Sequence, residues 1–466
     1  MTVEILGRRN SWWATGRSNI APLYKIARDE LSIIKDNLYA RRIQIITGPR
    51  RAGKSTLMQQ AISYLLDGGV EPKRILFLSA DDPTVFGGNR SIGDILEFYA
   101  ANILHESIPS ITKRVFIFID EIHMLDGWQP WLKSYYEPQY NVKFIISGAS
   151  LSHLFDGSRE SLLGRTDALR LMPLNFIQFC KFCCVYKEAE KISEFIETVP
   201  RVSLYEDPLE YYEELSYDPW RWDAYKPYVT AALNEFLLIG GYPEYFSDAN
   251  AAIWQKRLVE DIIGQGLYRD IVGVHKIKTP DKLEKLLYFI AGNYGKSFSV
   301  KAIADSIGCD NETVGAYLSY LTQAYMTIVL QNYTPNTSKT LRQDKTLFIL
   351  DNGIANAMLR LPGVDEDRAV HIVESVCARD ALAACELNLW KLYYWKERDY
   401  EIDLVIDRKT DALPIEVMYG PGASGNSVAA FKKSFYYLKA PVSVVITKDR
   451  LGKDQDSVYI PFWLAR

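Results

Sequence analysis

The sequence predicts an α/β protein whose N-terminal part is a parallel sheet flanked by helices, and three observations carry that prediction. The first is a glycine loop, Gly48-Pro-Arg-Arg-Ala-Gly53-Lys54-Ser55, set between the apolar run Ile43–Ile46 and the helically patterned stretch LMQQAISYLL. The second is another apolar run, Val115–Ile119, that ends in two acids, Asp120 and Glu121. The third is length: 466 residues exceed what one hydrophobic core organises, and at about 150 residues per domain they imply roughly three domains.

The strand, glycine loop and helix context turns a G-x-x-x-x-G-K-[ST] match into a phosphate-binding loop. Glycines let the backbone curl so that its amides face phosphate oxygens, and the helix N-terminus adds favourable partial charge. Gly48, Pro49, Arg50, Arg51, Ala52, Gly53, Lys54, Ser55 and Thr56 are therefore expected to cradle a nucleotide. Within that loop Lys54 reaches the β- and γ-phosphates, and the Ser55 hydroxyl coordinates Mg²⁺. The run Val115–Ile119, β-branched and aromatic throughout, reads as a buried parallel strand. Ligands of such sheets sit beyond the carboxyl ends of the strands, which sets both acids beside the phosphates. Asp120 is the expected metal ligand and Glu121 the expected general base, so the implied chemistry is Mg²⁺-dependent ATP hydrolysis.

Two further segments fit the same sheet, RILFLSADDP (Arg74–Pro83) and VKFIISGAS (Val142–Ser150). Ser147, near the end of the second, either closes a turn or senses the γ-phosphate and positions water. Arg165, after Gly164, and Arg170 follow. Phosphoryl transfer profits from a guanidinium on the transition-state charge, often supplied by a neighbouring subunit. Arg165 is the favoured finger and Arg170 the other candidate, with a surface ion pair as the alternative for either.

Taken together, GPRRAGKST, the IDEI acid pair, the SGAS strand end and the GR…LRLMPLNFIQF segment resemble prokaryotic AAA-type P-loop ATPases. Those proteins carry a C-terminal region of unknown function that combines a winged helix with a restriction-endonuclease-like fold. GGYPEYF (Gly240–Phe246), LYRDIV (Leu267–Val272), KTLFILDNGIANAML and EIDLVI…PIEVMYG resemble that region, so the likeness covers nearly the whole chain. It implies an N-terminal helical segment over 1–37, a P-loop ATPase core over 38–175 and a helical lid over 176–265. A winged helix over 266–365 and a degenerate restriction-endonuclease-like α/β domain over 366–466 complete the expectation.

The C-terminal residues speak for themselves only in part. Residues 176–260 are rich in Tyr, Glu and Trp at helical spacing and suggest no chemistry. Over 280–334, Lys282–Ala291, Val300–Ile307 and Glu312–Tyr325 read as three helices, with Asn311 as an N-cap and Gly308-Cys-Asp-Asn as the turn. The residues that would meet base edges, Asn311, Glu312, Thr313 and Gly315, include no cation, so packing is favoured over DNA reading. Farther on, Asp403 and Glu416, with Glu374 as a third acid, imitate a nuclease metal site. Met418 stands where E-x-K needs its lysine, with Lys432 or Lys433 as the only substitutes, so nuclease activity is not expected.

Composition sets outer limits. Charged residues are 24% and the hydrophobic set 48%, which fits an ordered globular chain. A net charge of −4 excludes a global polycation that coats nucleic acid. No apolar run is long enough for a membrane span and no signal peptide is evident, so a cytoplasmic location is expected. Cys180, Cys183 and Cys184 form a C-x-x-C-C cluster that reads as buried helical thiols rather than zinc ligands, since a fourth ligand with matching spacing is absent. The partners implied are ATP, another copy of the chain and an unidentified protein, with DNA not favoured.

Overall fold

The computed structural model describes residues 2–18, 26–87, 90–148, 162, 164–187, 189–247, 249–334, 344–420, 426–435, 440 and 442–466. The chain forms two compact units, Met1–Leu171 and Met172–Arg466. Segment 1–37 thus folds as part of the first unit, and the three ranges from 176 onward share the second. No described helix is long and apolar enough to cross a membrane.

The first unit is built on five parallel strands: β1 (Ile43–Thr47), β2 (Ile75–Ser79), β3 (Val115–Asp120), β4 (Val142–Gly148) and β5 (Thr166–Arg170). Their spatial order is β2-β3-β4-β1-β5. Strands β1, β2 and β3 are buried along their whole length because helices cover both faces, which is why they read as continuous apolar runs. Alternate residues divide between two cores. Ile45, Leu76, Ile117 and Ile146 pack under the helices Ile92–Tyr99 and Trp128–Tyr136. Ile46, Phe77, Phe118 and Ile145 pack under Glu30–Asn37 and Lys54–Asp67.

The N-terminal segment closes the sheet at β2. Asn10 donates through Nδ2 to the Phe77 carbonyl (3.0 Å) and accepts the Phe77 amide at Oδ1 (2.7 Å). Trp12 and Trp13 both donate their indole N–H to the Ile75 carbonyl. An edge strand presents unpaired backbone groups that invite association, and these three side chains satisfy them.

In the second unit, helices Phe176–Lys187, Glu190–Thr198, Pro208–Ser216 and Arg221–Ile239 come first. Three helices, Pro280–Gly292, Val300–Ile307 and Asn311–Gln323, then accompany a small antiparallel sheet of order β6-β8-β7 (β6 Ser297–Phe298, β7 Thr327–Gln331, β8 Lys345–Ile349). Asp310 rather than Asn311 caps the third helix, its carboxylate accepting the Thr313 amide at 2.7 Å. Both residue types cap well, and the extended backbone at 310 decides between them.

The remaining strands make a six-stranded mixed sheet: β9 (Lys391–Glu397), β10 (Tyr400–Asp407), β11 (Ala412–Met418), β12 (Ser443–Thr447), β13 (Gly452–Lys453) and β14 (Ser457–Pro461), in the order β13-β14-β12-β11-β10-β9. A buried polar network fastens the unit internally. Asp351 accepts the Gly241 amide (2.8 Å), the Gly353 amide (2.9 Å) and the Arg379 guanidinium (3.3 Å), and Arg379 also donates to the Leu174 carbonyl (3.0 Å). Gly240 is required here: its φ is +81°, and a Cβ would lie 2.0 Å from an Asp351 carboxylate oxygen.

Candidate active site

The loop that leaves β1 turns at Gly48 (φ +144°), Arg51 (φ +64°) and Gly53 (φ +98°) before the helix Lys54–Asp67 begins. A Cβ on Gly48 would stand 2.2 Å from the Leu171 carbonyl oxygen, so only glycine lets the chain after β5 pass this close. No side chain caps the helix N-terminus. The loop therefore leads straight into an uncapped helix N-terminus, whose positive end suits an anion such as a phosphate. Lys54 is 5% exposed and its ammonium donates to the carbonyls of Gly48 (3.0 Å) and Pro49 (2.9 Å). Ser55 is exposed, while Gly48, Pro49 and Ala52 are buried and Arg50, Arg51, Gly53 and Thr56 are half-buried.

The strand register carries the acids to the same edge. Ile46 of β1 pairs with Ser147 of β4, and Ile119 of β3 pairs with Ile146, so Asp120 and Ser147 end their strands side by side. Since β4 separates β1 from β3, the acids stand two strand spacings, about 10 Å, from the loop. Ser147, fully buried, donates to Asp120 Oδ1 and accepts the Glu121 amide at 3.0 Å. Glu121 adopts a left-handed backbone (φ +53°), a conformation that costs a non-glycine residue and often marks a working position. The acids, Ser147 and the glycine loop are thus brought together at one sheet edge.

The two arginines fall at opposite edges. Thr166 pairs with Ile43, at the start of β1, and Arg170 pairs with Thr47, at its end. Arg165 is therefore at the amino edge, five strand steps or about 16 Å from the loop, where it reaches Glu137 at 3.1 Å. Arg170 is at the carboxyl edge with the loop.

Two residues escaped the sequence reading. His123 Nδ1 approaches Glu121 Oε2 at 3.3 Å, and a histidine two residues beyond the second acid was a visible signal. Arg28, 7% exposed, donates to the Ala52 carbonyl inside the loop (3.0 Å) and pairs with Glu30 at 2.8 Å. Nothing in the local pattern marks it, because its partner lies 24 residues away.

The acids of the second unit do not share one face. A register shift between Ile402 and Val405 lets both pack with Val428 and Phe431 and turns Asp403 the other way. Asp403 accepts the Val417 amide at 2.7 Å; burial, with Glu374 nearby, pushes its carboxyl well above the usual range. Glu416 lies toward the side of Val428, and burial raises its carboxyl to about 7, opposed only by the Val428 amide. Lys432 pairs with Asp456 at 3.2 Å. Cys180 and Cys183 are buried on the helix Phe176–Lys187 and Cys184 is half-buried; burial pushes the Cys180 thiol far up and that of Cys184 to about 11.

A glycine loop before a helix, joined to an acid pair on a five-stranded parallel sheet, is the arrangement of a P-loop domain. Residues 40–180 match the family model described as an AAA domain. Residues 230–365 and 370–465 match two models described as domains of unknown function, DUF8612 and DUF4143. The chain thus joins an AAA domain to these C-terminal domains. It is 24% identical over 468 residues to an uncharacterized protein of Methanocaldococcus jannaschii, covering 95% of this chain and 92% of that one. A second, from Haemophilus influenzae, is 23% identical, with 67% and 68% covered. Among solved structures, AMPPCP-bound DnaA from Aquifex aeolicus is similar at a TM-score of 0.29 and 16% identity, covering 65% of this chain and 92% of that one.

Proposed function

We propose that the first unit is a Mg²⁺-dependent ATPase acting as a nucleotide-driven switch or motor on a protein partner. The observation that carries this reading is the Asp120–Ser147–Glu121 linkage at the sheet edge that also bears the Gly48–Ser55 loop. In it, the loop amides from Arg50 to Thr56 hold the phosphates, and Lys54 exchanges its two loop carbonyls for phosphate oxygens. Ser55 and Asp120 are the residues suited to Mg²⁺, which supplies charge neutralisation on the phosphates when bound. Glu121 takes the proton of the attacking water. Ser147 fits a positioning role, since both of its bonds run to the acids. Arg165, at the far edge from its own loop, fits a finger supplied to a neighbouring copy, and Arg170 is the candidate within the chain.

Replacing Glu121 by Gln tests the base. The expected result is loss of steady-state phosphate release by about 10²- to 10⁴-fold with ATP affinity retained, because general-base catalysis is worth that much. Turnover at the wild-type rate would remove Glu121 from the mechanism. Lys54→Ala should instead abolish ATP binding.

For the second unit, the order helix, strand, helix, helix, strand, strand over 280–349 supports a winged helix, and the mixed sheet with its long helix Glu366–Asn388 supports a restriction-endonuclease-like fold without cleavage. The opposed directions of Asp403 and Glu416, and Met418 in place of a lysine, argue for binding or assembly over DNA hydrolysis. Salt-dependent duplex retention with Mg²⁺-dependent nicking lost in Asp403→Ala would reverse that preference.

A further inference from the structure

The turn between the helices Pro208–Ser216 and Arg221–Ile239 carries the two most exposed large hydrophobic side chains among the described residues, Tyr217 (90%) and Trp220 (81%). Tyr228, eight residues beyond Trp220 and so on the same helix face, is exposed as well. One apolar side chain in water is ordinary, but neighbouring aromatics, each able to bury about 150–250 Å², mark an interaction surface. Their outward position is built in. Trp222 turns the other way: it is buried, donates its indole N–H to the Leu215 carbonyl (2.9 Å) and meets Phe195 edge-on at 6.3 Å. Pro219 fixes its own φ within the turn. A backbone pinned in this manner has little freedom left to lose when a partner arrives.

Charge decides what that partner is. Residues 206–223 hold seven acids and a single cation, Arg221. Glu210, Glu213 and Glu214 are exposed on the helix face that ends at Tyr217, and the exposed Asp218 and Asp223 flank Trp220. None of these five acids is in an ion pair among the described residues. The local cations are engaged within the chain: Arg221 lies over the Trp222 ring (4.3 Å) and donates to the Glu214 carbonyl (3.2 Å), and Lys226 pairs with Asp449 at 2.7 Å. Such a surface repels nucleic acid and acidic membranes. A guanidinium satisfies both of its features, because it stacks on an indole and forms paired hydrogen bonds with carboxylates.

We infer that this face docks an arginine-bearing basic segment of another protein, with Trp220 as the stacking platform and Glu213, Glu214 and Asp218 as counter-charges. Tryptophan and tyrosine are the residues on which interface energy concentrates, so Trp220 carries most of the affinity. The surface lies in the second unit and does not depend on the ATPase reading.

Fluorescence anisotropy of a labelled octapeptide of alternating alanine and arginine, titrated with the full chain at about 0.15 M salt, tests it. Saturable binding is expected, weakened at least tenfold (about 1.4 kcal/mol) in Trp220→Ala and in the double variant Glu213→Gln with Glu214→Gln. The same charge change placed on exposed acids of the first unit, Asp36→Asn with Asp67→Asn, should leave the affinity unchanged. The peptide with lysine in place of arginine should bind more weakly, since an ammonium lacks the planar stack. No nucleotide is present, so the outcome is separate from the ATPase reading. Absence of saturable binding, indifference to Trp220→Ala, equal affinity for the lysine peptide or an equal loss in the first-unit variant overturns the inference. Trp220-dependent binding of single-stranded DNA or of phosphatidylserine vesicles in place of the peptide does so too.

Discussion

The hydroxyl of Ser147 joins the carboxylate of Asp120 to the backbone amide of Glu121, giving at Oδ1 of one acid and accepting at 3.0 Å from the other. A single fully buried oxygen thus ties the carboxylate of the proposed metal ligand to the backbone of the proposed base. Both bonds arise where two adjacent central strands, β3 and β4, end at the carboxyl edge of the sheet, with no ligand needed to form them.

Removing that oxygen in Ser147→Ala leaves a buried carboxylate and a buried amide each short of a partner. A lost bond of this kind costs about 1–3 kcal/mol, so kcat for ATP should fall roughly 10- to 100-fold. Because Ser147 touches the acids and not the phosphate loop, the affinity for ATP should hold. Ser147→Thr, which keeps the hydroxyl, should recover part of the rate. Equal losses in affinity and kcat would point instead to a direct contact with the nucleotide.

Arg165 offers a test of assembly. Its pairing with Glu137 is half-exposed and contributes about 0–1 kcal/mol, so Arg165→Ala should fold normally. If the guanidinium serves a neighbouring copy, hydrolysis should fall about 10³-fold, the usual scale of a finger. Mixing Arg165→Ala chains, whose own acids are intact, with Glu121→Gln chains, whose Arg165 is intact, should then restore part of the turnover. No recovery, with turnover of Arg165→Ala alone unchanged, would leave Arg165 as a surface ion pair.

What could be read from the sequence follows how local each feature is. Gly48–Ser55 and Asp120-Glu121 were legible because loop, helix start and strand end are contiguous, and parallel-strand logic then brings them to one edge. Arg28 was not, since its bond to the Ala52 carbonyl depends on how the first helices fold back. The same holds for Asn10, which imitates a strand partner for Phe77 across 67 residues. Asp403 and Glu416 show the limit differently. Alternation alone would set them on one face, and the register shift between Ile402 and Val405, which no residue pattern announces, turns one of them away.

The Arg379–Asp351 pair is fully buried on both sides, and each partner holds backbone from a distant segment. Breaking a buried pair from one side strands a charge and costs about 3–5 kcal/mol. Arg379→Met should therefore destabilise the second unit by that order in chemical denaturation. The double change Arg379→Met with Asp351→Asn should cost less than the single one, because it removes the stranded carboxylate. A larger loss in the double variant would show that the amide bonds to Asp351, and not its charge, dominate.

Glu416 gives the stability of the second unit a pH dependence of definite sign. Its carboxyl titrates near 7 in the folded chain and near 4.5 when exposed, so the folded state binds the proton more tightly. The stabilisation from that proton is complete below pH 4.5 and is lost as pH rises through 7, amounting to at most about 3 kcal/mol. Hydrogen exchange of the β11 amides in the full chain should accordingly show protection that declines between pH 5 and 8 beyond the intrinsic rate change. Glu416→Gln, neutral at every pH, should flatten that decline. A decline of equal steepness in the Gln variant would assign the effect to other groups, with the Asp403–Glu374 neighbourhood the first to test.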